Sequence, residues 1–174
     1  MSAFACNPRR RKVLLAGGSL LMLAPIVHRA RAAEGVVIDM AGTASGAHVW
    51  FRPRGVRLRP GQAVRWVNRD AGNVHTVTAY HPDNGKPQRI PVQAASWNSG
   101  YLMPETDFVM VFDVPGVYDY FCIPHEQAGM VGRIVVVGDE LPSQPYPDTD
   151  ATLPQHALAA FPSIDDIMQH GRVN

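Results

Sequence analysis

Apolar and polar residues alternate along much of this chain in short runs, with the period of two that strands show. Gly35–Met40 and His48–Phe51 are apolar-rich pieces, Val56–Arg59 alternates ahead of a Pro60-Gly61 turn, and Ala63–Asn68 follows. Further runs span His75–Tyr80, Asp107–Val114, Val117–Cys122 beyond a Pro115-Gly116 turn, and Arg133–Val137. A strand with one face on a core needs this alternation, because successive side chains point to opposite faces. Runs of this spacing, with turn signals and no long helical period, predict an all-β sandwich. Residues 81–105 are too broken by Pro, Asn and Gly for regular structure and read as surface loops.

Both ends depart from the pattern. Arg9-Arg10-Arg11-Lys12 precedes an apolar run from Val13 to Val27 and then Ala30-Arg31-Ala32, which is the order of a cleavable export signal over residues 1–32. The apolar run is shorter than the ~20 residues a membrane-spanning helix needs, so no stable membrane insertion is expected after cleavage. Arg10-Arg11-x-Val13-Leu14 looks like a twin-arginine signal, with an ordinary secretory signal as the alternative; either predicts export to a bacterial periplasm. After the β region, read as residues 33–138, Pro142, Pro145, Pro147, Pro154 and Pro162 mark an extended linker. Ser163-x-x-Asp166 then reads as the start of a short helix and Gly171 as its stop. Residues 139–174 therefore form an acidic, Pro-rich tail: a strap folding back on the sandwich, a docking segment, or a disordered end. No candidate ligand lies in it, so its removal is expected to leave the site intact.

Length and composition fit one globular domain, with 174 residues of which 46% are hydrophobic. The formal charge of +1 hides an asymmetry. The signal holds six of the sixteen Lys and Arg and none of the fifteen acids, leaving ten bases against fifteen acids, or −5. Residues 33–138 balance at nine each, and the tail supplies the excess with six acids against Arg172. No nucleic-acid partner is expected from such a balance, and the chain is expected to be monomeric.

Cys6 lies in the signal, which leaves Cys122 as the single thiol of an exported protein, with no intrachain disulfide available to it. It belongs to the spacing Cys122-x2-His125-x4-Met130, which puts a thiolate, an imidazole and a thioether on one loop leaving a strand. With an upstream His75, these are the donors of a blue-copper electron-transfer site: thiolate suits Cu(I), imidazole suits both oxidation states, and a weak axial thioether tunes the potential. Taken singly, each has a plainer reading: Cys122 as a small buried hydrophobe, His75 as a core histidine, Met130 as packing. His48 and His81 compete with His75 but lack its Asn-x-His context, and His156 and His170 lie in the tail. Structural zinc is disfavoured, since thioether is not among its usual ligands.

The stretch Tyr118-x-Tyr120-x-Cys122-x-Pro124-His125, the run Gly129-Met130-Val131-Gly132 and the segment Asn73-Val74-His75-Thr76-Val77 together resemble the small cupredoxins of the plastocyanin and pseudoazurin type. The resemblance covers roughly residues 36–138. It implies a Greek-key β-sandwich with one type 1 copper, held by His75, Cys122, His125 and Met130, and an electron carrier rather than an enzyme. It further implies that His125 reaches the surface, where Ile123, Pro124, Met103, Pro104 and Val131 could form an apolar patch for transient docking of redox partner proteins. Asn68 or Asn73 and backbone amides near Cys122 are expected to hydrogen-bond the ligands. A periplasmic copper carrier or chaperone is the alternative, although the chain has no Met-rich or His-rich tract. A copper-dependent redox enzyme would need a further metal site, and seven histidines, one of them in the signal, do not supply it convincingly.

Overall fold

The computed structural model describes residues 35–139, 146–147 and 149–174, so the predicted export signal, Pro142 and Pro145 lie outside the described residues. The described strands are β1 Val36–Gly42, β2 Val49–Arg52, β3 Gly55–Leu58, β4 Gln62–Asn68, β5 Thr78–Ala79, β6 Asp107–Phe112, β7 Gly116–Phe121, β8 Val131–Val136 and β9 Arg172–Val173. One sheet has the order β2-β1-β4-β6 and the other β5-β7-β8-β3-β9. β1 with β4 and β3 with β8 pair in parallel; the other pairs are antiparallel. This is the expected all-β sandwich, and its core lies between the sheets around Trp66, with the rings of Phe108, Phe112 and Tyr120 against it.

The expected strand His75–Tyr80 is shortened to β5. Residues 75–80 are all buried, but their backbone partners are divided. His75 exchanges both backbone bonds with Leu102, Val77 N–H goes to Ser99 Oγ, Ala79 N–H to Trp97 O, and Tyr80 N–H to Asp119 O. The segment is extended yet shared between a loop and β7, so no continuous ladder forms. The loops at 81–105 hold one turn of 3-10 helix, Pro82–Asn84. His81 is occupied there: its Nδ1 accepts the Asp83 N–H at 3.1 Å.

β7 and β8 do not have a solvent face. Tyr118, Tyr120 and Cys122 on one side, with Ile134 and Val136, join the central core. On the other side Phe121 and Val131 pack with Tyr80, Leu153 and Ala157, while Val117 and Val135 pack with Ile164 and Ile167. Leu153, Ala157, Ile164 and Ile167 belong to the C-terminal segment, which carries helices α1 Gln155–Ala160 and α2 Ile164–His170 before β9 pairs with β3. Ser163 caps α2 by accepting the Asp166 N–H at 3.0 Å, and Gly171 ends it at φ 74°. Arg54 and Arg133 donate to the carbonyls of Ala160 and Pro162, and Arg57 to that of Met168. Residues 149–174 are thus seated on the sandwich. The tail is therefore a strap folded back on the sandwich, and it covers apolar side chains of the two strands that flank the ligand loop. For the same reason Val131, expected in an exposed patch, is 1% exposed and sits under α1.

Candidate metal centre

Cys122 directly follows β7 and keeps the register of Tyr118 and Tyr120, so its side chain enters the core rather than the solvent. The chain then winds into a 3-10 helix, Ile123–Ala128, with Pro124 in its first turn. Gly129 closes it at φ 81°, a left-handed conformation that glycine adopts without the steric cost a Cβ brings. The loop is fastened by its own backbone: His125 N–H donates to Cys122 O at 3.0 Å, Met130 N–H to His125 O at 3.1 Å, and Cys122 N–H to Met130 O at 3.0 Å. Three predicted site residues are thereby drawn together. His75 reaches the same place from the segment that leads into β5, held by its backbone pair with Leu102.

The donor atoms of His75, Cys122 and His125 all lie within 4.8 Å of one another. Cys122 Sγ is 3.6 Å from His75 Nδ1 and 3.4 Å from His125 Nδ1. The two imidazole centroids are 4.9 Å apart. Cys122, His75 and Met130 are fully buried, and His125 is partly exposed. Met130 shares the hydrophobic cluster of Cys122. Such donor separations suit a single ion with bonds of about 2 Å, and sulfur with imidazole is a donor set that selects copper over harder ions.

The surroundings orient these groups. Thr76 N–H donates to Cys122 Sγ at 3.3 Å, and Thr76 Oγ1 accepts the Ile123 N–H at 2.8 Å. Burial pushes the Cys122 thiol up to about 11, against the opposing bonds from Thr76 and the His125 amide. Burial lowers both imidazoles; for His75 the bond to Asp70 opposes this and the nearby His125 adds to it. Both rings are therefore neutral near pH 7 and keep a lone pair for a metal. Asp70 Oδ2 lies 3.2 Å from His75 Nε2. Burial alone would raise the Asp70 carboxyl, but bonds from Asn73, Gly72 and His75 outweigh it and hold it below its ordinary value. Both asparagines named from sequence take part indirectly. Asn68 Nδ2 donates to the carbonyls of Asn73 and Leu102 at 2.9 Å each, and Asn73 Nδ2 donates to Asp70 Oδ2 at 2.9 Å.

Three contributors were missed in the sequence. Asp70 and Thr76 sit in polar context with nothing to mark them. Glu126, beside His125, is 6% exposed, accepts from Tyr80 Oη at 3.0 Å and pairs with Lys86. Beside His125 in the chain, Ile123 and Pro124 are exposed, and Tyr101 and Met103, which flank Leu102, are 65% and 57% exposed.

A two-sheet β-sandwich whose ligand loop carries a buried thiol and imidazole against a second imidazole defines a small copper-protein class with type 1 donors. Residues 38–137 match the family of copper-binding proteins described as the plastocyanin/azurin family. The chain belongs to that family. It is 36% identical over 95 residues to a chloroplastic plastocyanin of Tetradesmus obliquus, covering 55% of this chain and 63% of that protein. It is 34% identical over 110 residues to pseudoazurin of Methylorubrum extorquens, covering 63% of this chain and 66% of that protein. The chain thus spans just under two thirds of the length of these two relatives. Among solved structures, a pseudoazurin from Methylobacterium extorquens AM1 superposes with a TM-score of 0.54 at 26% identity, covering 72% of this chain and 94% of that one.

Proposed function

We propose that this chain is a periplasmic type 1 copper protein that carries single electrons between redox partners, with His75, Cys122, His125 and Met130 as ligands. The observation that carries this reading is the convergence of Cys122 Sγ with the Nδ1 atoms of His75 and His125 at a buried point. Copper held there supplies a one-electron Cu(II)/Cu(I) couple. The protein's part is to keep the donors in place as the charge changes. Backbone bonds across the loop, the Thr76 bond to sulfur and the Asp70 bond to His75 restrict their movement. Full burial of Cys122, His75 and Met130 favours retention of the ion over its delivery, which separates a carrier of electrons from a carrier of copper. The exposed Ile123 and Pro124 give partners an uncharged surface beside the partly exposed His125, and the exposed Tyr101 and Met103 flank Leu102, the backbone partner of His75, an arrangement suited to brief docking. Export rests on the signal-like residues 1–32. Among the described residues no helix is long and apolar enough to cross a membrane.

The test is spectroscopic. Copper-loaded protein, once oxidised, should show an intense thiolate-to-copper absorption in the visible, and Cys122→Ser should lose it while keeping the fold by circular dichroism. Met130→Gln should lower the reduction potential and Met130→Leu should raise it, since oxygen favours Cu(II) over Cu(I) relative to thioether. A colourless oxidised wild type sinks the type 1 assignment, and potentials unmoved by either Met130 variant reduce Met130 to packing.

A further inference from the structure

Asp70 lies outside the ligand set but is seated with unusual care for a residue in a surface turn. It is 5% exposed, and its own N–H donates to Asn68 Oδ1 at 2.9 Å. Oδ1 accepts the Gly72 N–H at 2.9 Å, and Oδ2 accepts from Asn73 Nδ2 at 2.9 Å while lying 3.2 Å from His75 Nε2. Room for the carboxylate comes from Gly42 on β1, where a Cβ would stand 2.2 Å from Asp70 Oδ2. Four residues, one from β1 and three from the stretch 68–73, thus aim one anionic oxygen at the far nitrogen of a single imidazole. Among the described residues, His125 has no matching carboxylate bond.

Resting on the copper reading above, we propose that Asp70 is a positioning residue that holds His75 in the Nε2–H tautomer and thereby lowers the reduction potential of the site. An imidazole that donates one N–H to a carboxylate has its other nitrogen free, and here that nitrogen is the Nδ1 facing Cys122 Sγ. The anionic acceptor makes the ring a stronger donor, which favours the more highly charged Cu(II). The competing donors from Asn73 and Gly72 draw part of that charge away, so the carboxylate's influence on His75 is graded rather than all-or-none.

Two variants shift this balance in opposite directions. Asp70→Asn keeps the size and offers a neutral oxygen to His75, whereas Asn73→Ala keeps the carboxylate and removes one competitor for it. In Asp70→Asn the ratio of Cu(II) to Cu(I) affinities should fall about tenfold, the low end for loss of such an outer contact, read by voltammetry as a rise of about 59 mV. In Asn73→Ala the potential should fall. An unchanged potential in Asp70→Asn, or shifts of the same sign in both, overturns the proposal, the latter because general loosening acts alike on both. Should Asp70→Asn fail to fold, a potential in Asn73→Ala that is unchanged or raised overturns it instead. Nitrogen NMR of the metal-free wild type gives a readout independent of copper: His75 protonated at Nε2 supports the tautomer assignment, and protonation at Nδ1 overturns it. If the wild type shows no thiolate-to-copper band, the copper reading fails on its own, and the NMR result still decides the role of Asp70 in orienting the ring.

Discussion

The Cys122 thiol is buried among core residues, and this has a measurable cost in the metal-free protein. Its pKa rises from an ordinary 9.0 to about 11, chiefly through burial. A folded-state pKa above the unfolded value means that the native chain holds the proton more tightly. The associated stability is complete below about pH 9 and is lost as pH rises through 11, at about 1.4 kcal/mol per pH unit. Urea unfolding of metal-free protein at pH 8 and pH 10.5 should therefore show wild type losing about 2 kcal/mol more than Cys122→Ser; equal losses would refute the shift. The same residue was the most legible one in the sequence, because a lone thiol spaced three and eight residues from His125 and Met130 has few chemical uses. Asp70, Thr76 and Glu126 were not legible. Their roles depend on which backbone passes beside them, and that is set by β1, the Leu102 bridge and the C-terminal segment rather than by neighbours in sequence.

At the scale of elements, β7 and β8 are joined by a buried charge cluster as well as by their ladder. Asp119 and Arg133 face each other in register, with Arg133 Nε 2.7 Å from Asp119 Oδ1 and Arg89 Nε 2.9 Å from Oδ2. All three side chains are at most 2% exposed. The arginines extend the cluster outward, Arg133 to Pro162 O and Arg89 to Pro147 O, so one carboxylate also organises the attachment of the C-terminal segment. Replacing Asp119 by Ala leaves the buried Arg133 guanidinium without its counter-charge and Arg89 with only Asp150, 4.0 Å away, and should cost about 3–5 kcal/mol in denaturant unfolding. A loss below about 1 kcal/mol, the range of exposed pairs, would show that the cluster adds little. The sequence carried a partial sign of this second packed face: Ile134-Val135-Val136-Val137 is apolar at both parities, as in a strand covered on both sides rather than one. The helix α1 had no comparable sign. It is six residues long, follows Pro154 without a side-chain cap, and owes its helicity to packing on Phe121 and Val131.

For the whole molecule, the C-terminal segment backs the ligand loop instead of trailing from a finished domain. A Cβ on Gly129, next to Met130, would stand 3.1 Å from His156 O and 3.4 Å from Ala160 Cβ, so α1 rests directly on the turn that closes the loop. Phe161 reinforces this from the side, with its ring under Arg133 and against Tyr80, which in turn holds Glu126 beside His125. Deleting residues 149–174 would remove the buried Leu153, Ile164 and Ile167 and uncover Val117, Phe121, Val131 and Val135. Each large apolar side chain contributes about 1.5–3 kcal/mol on burial. The truncated chain should lose more than about 3 kcal/mol in denaturant unfolding. Loaded with copper, it should show a shifted or weakened thiolate-to-copper band, because the turn between His125 and Met130 has lost its backing. Unfolding and visible spectra that match the full chain would mean that the sandwich alone sets the ligand geometry. A loss of stability with an unchanged spectrum would confine the segment's role to covering β7 and β8.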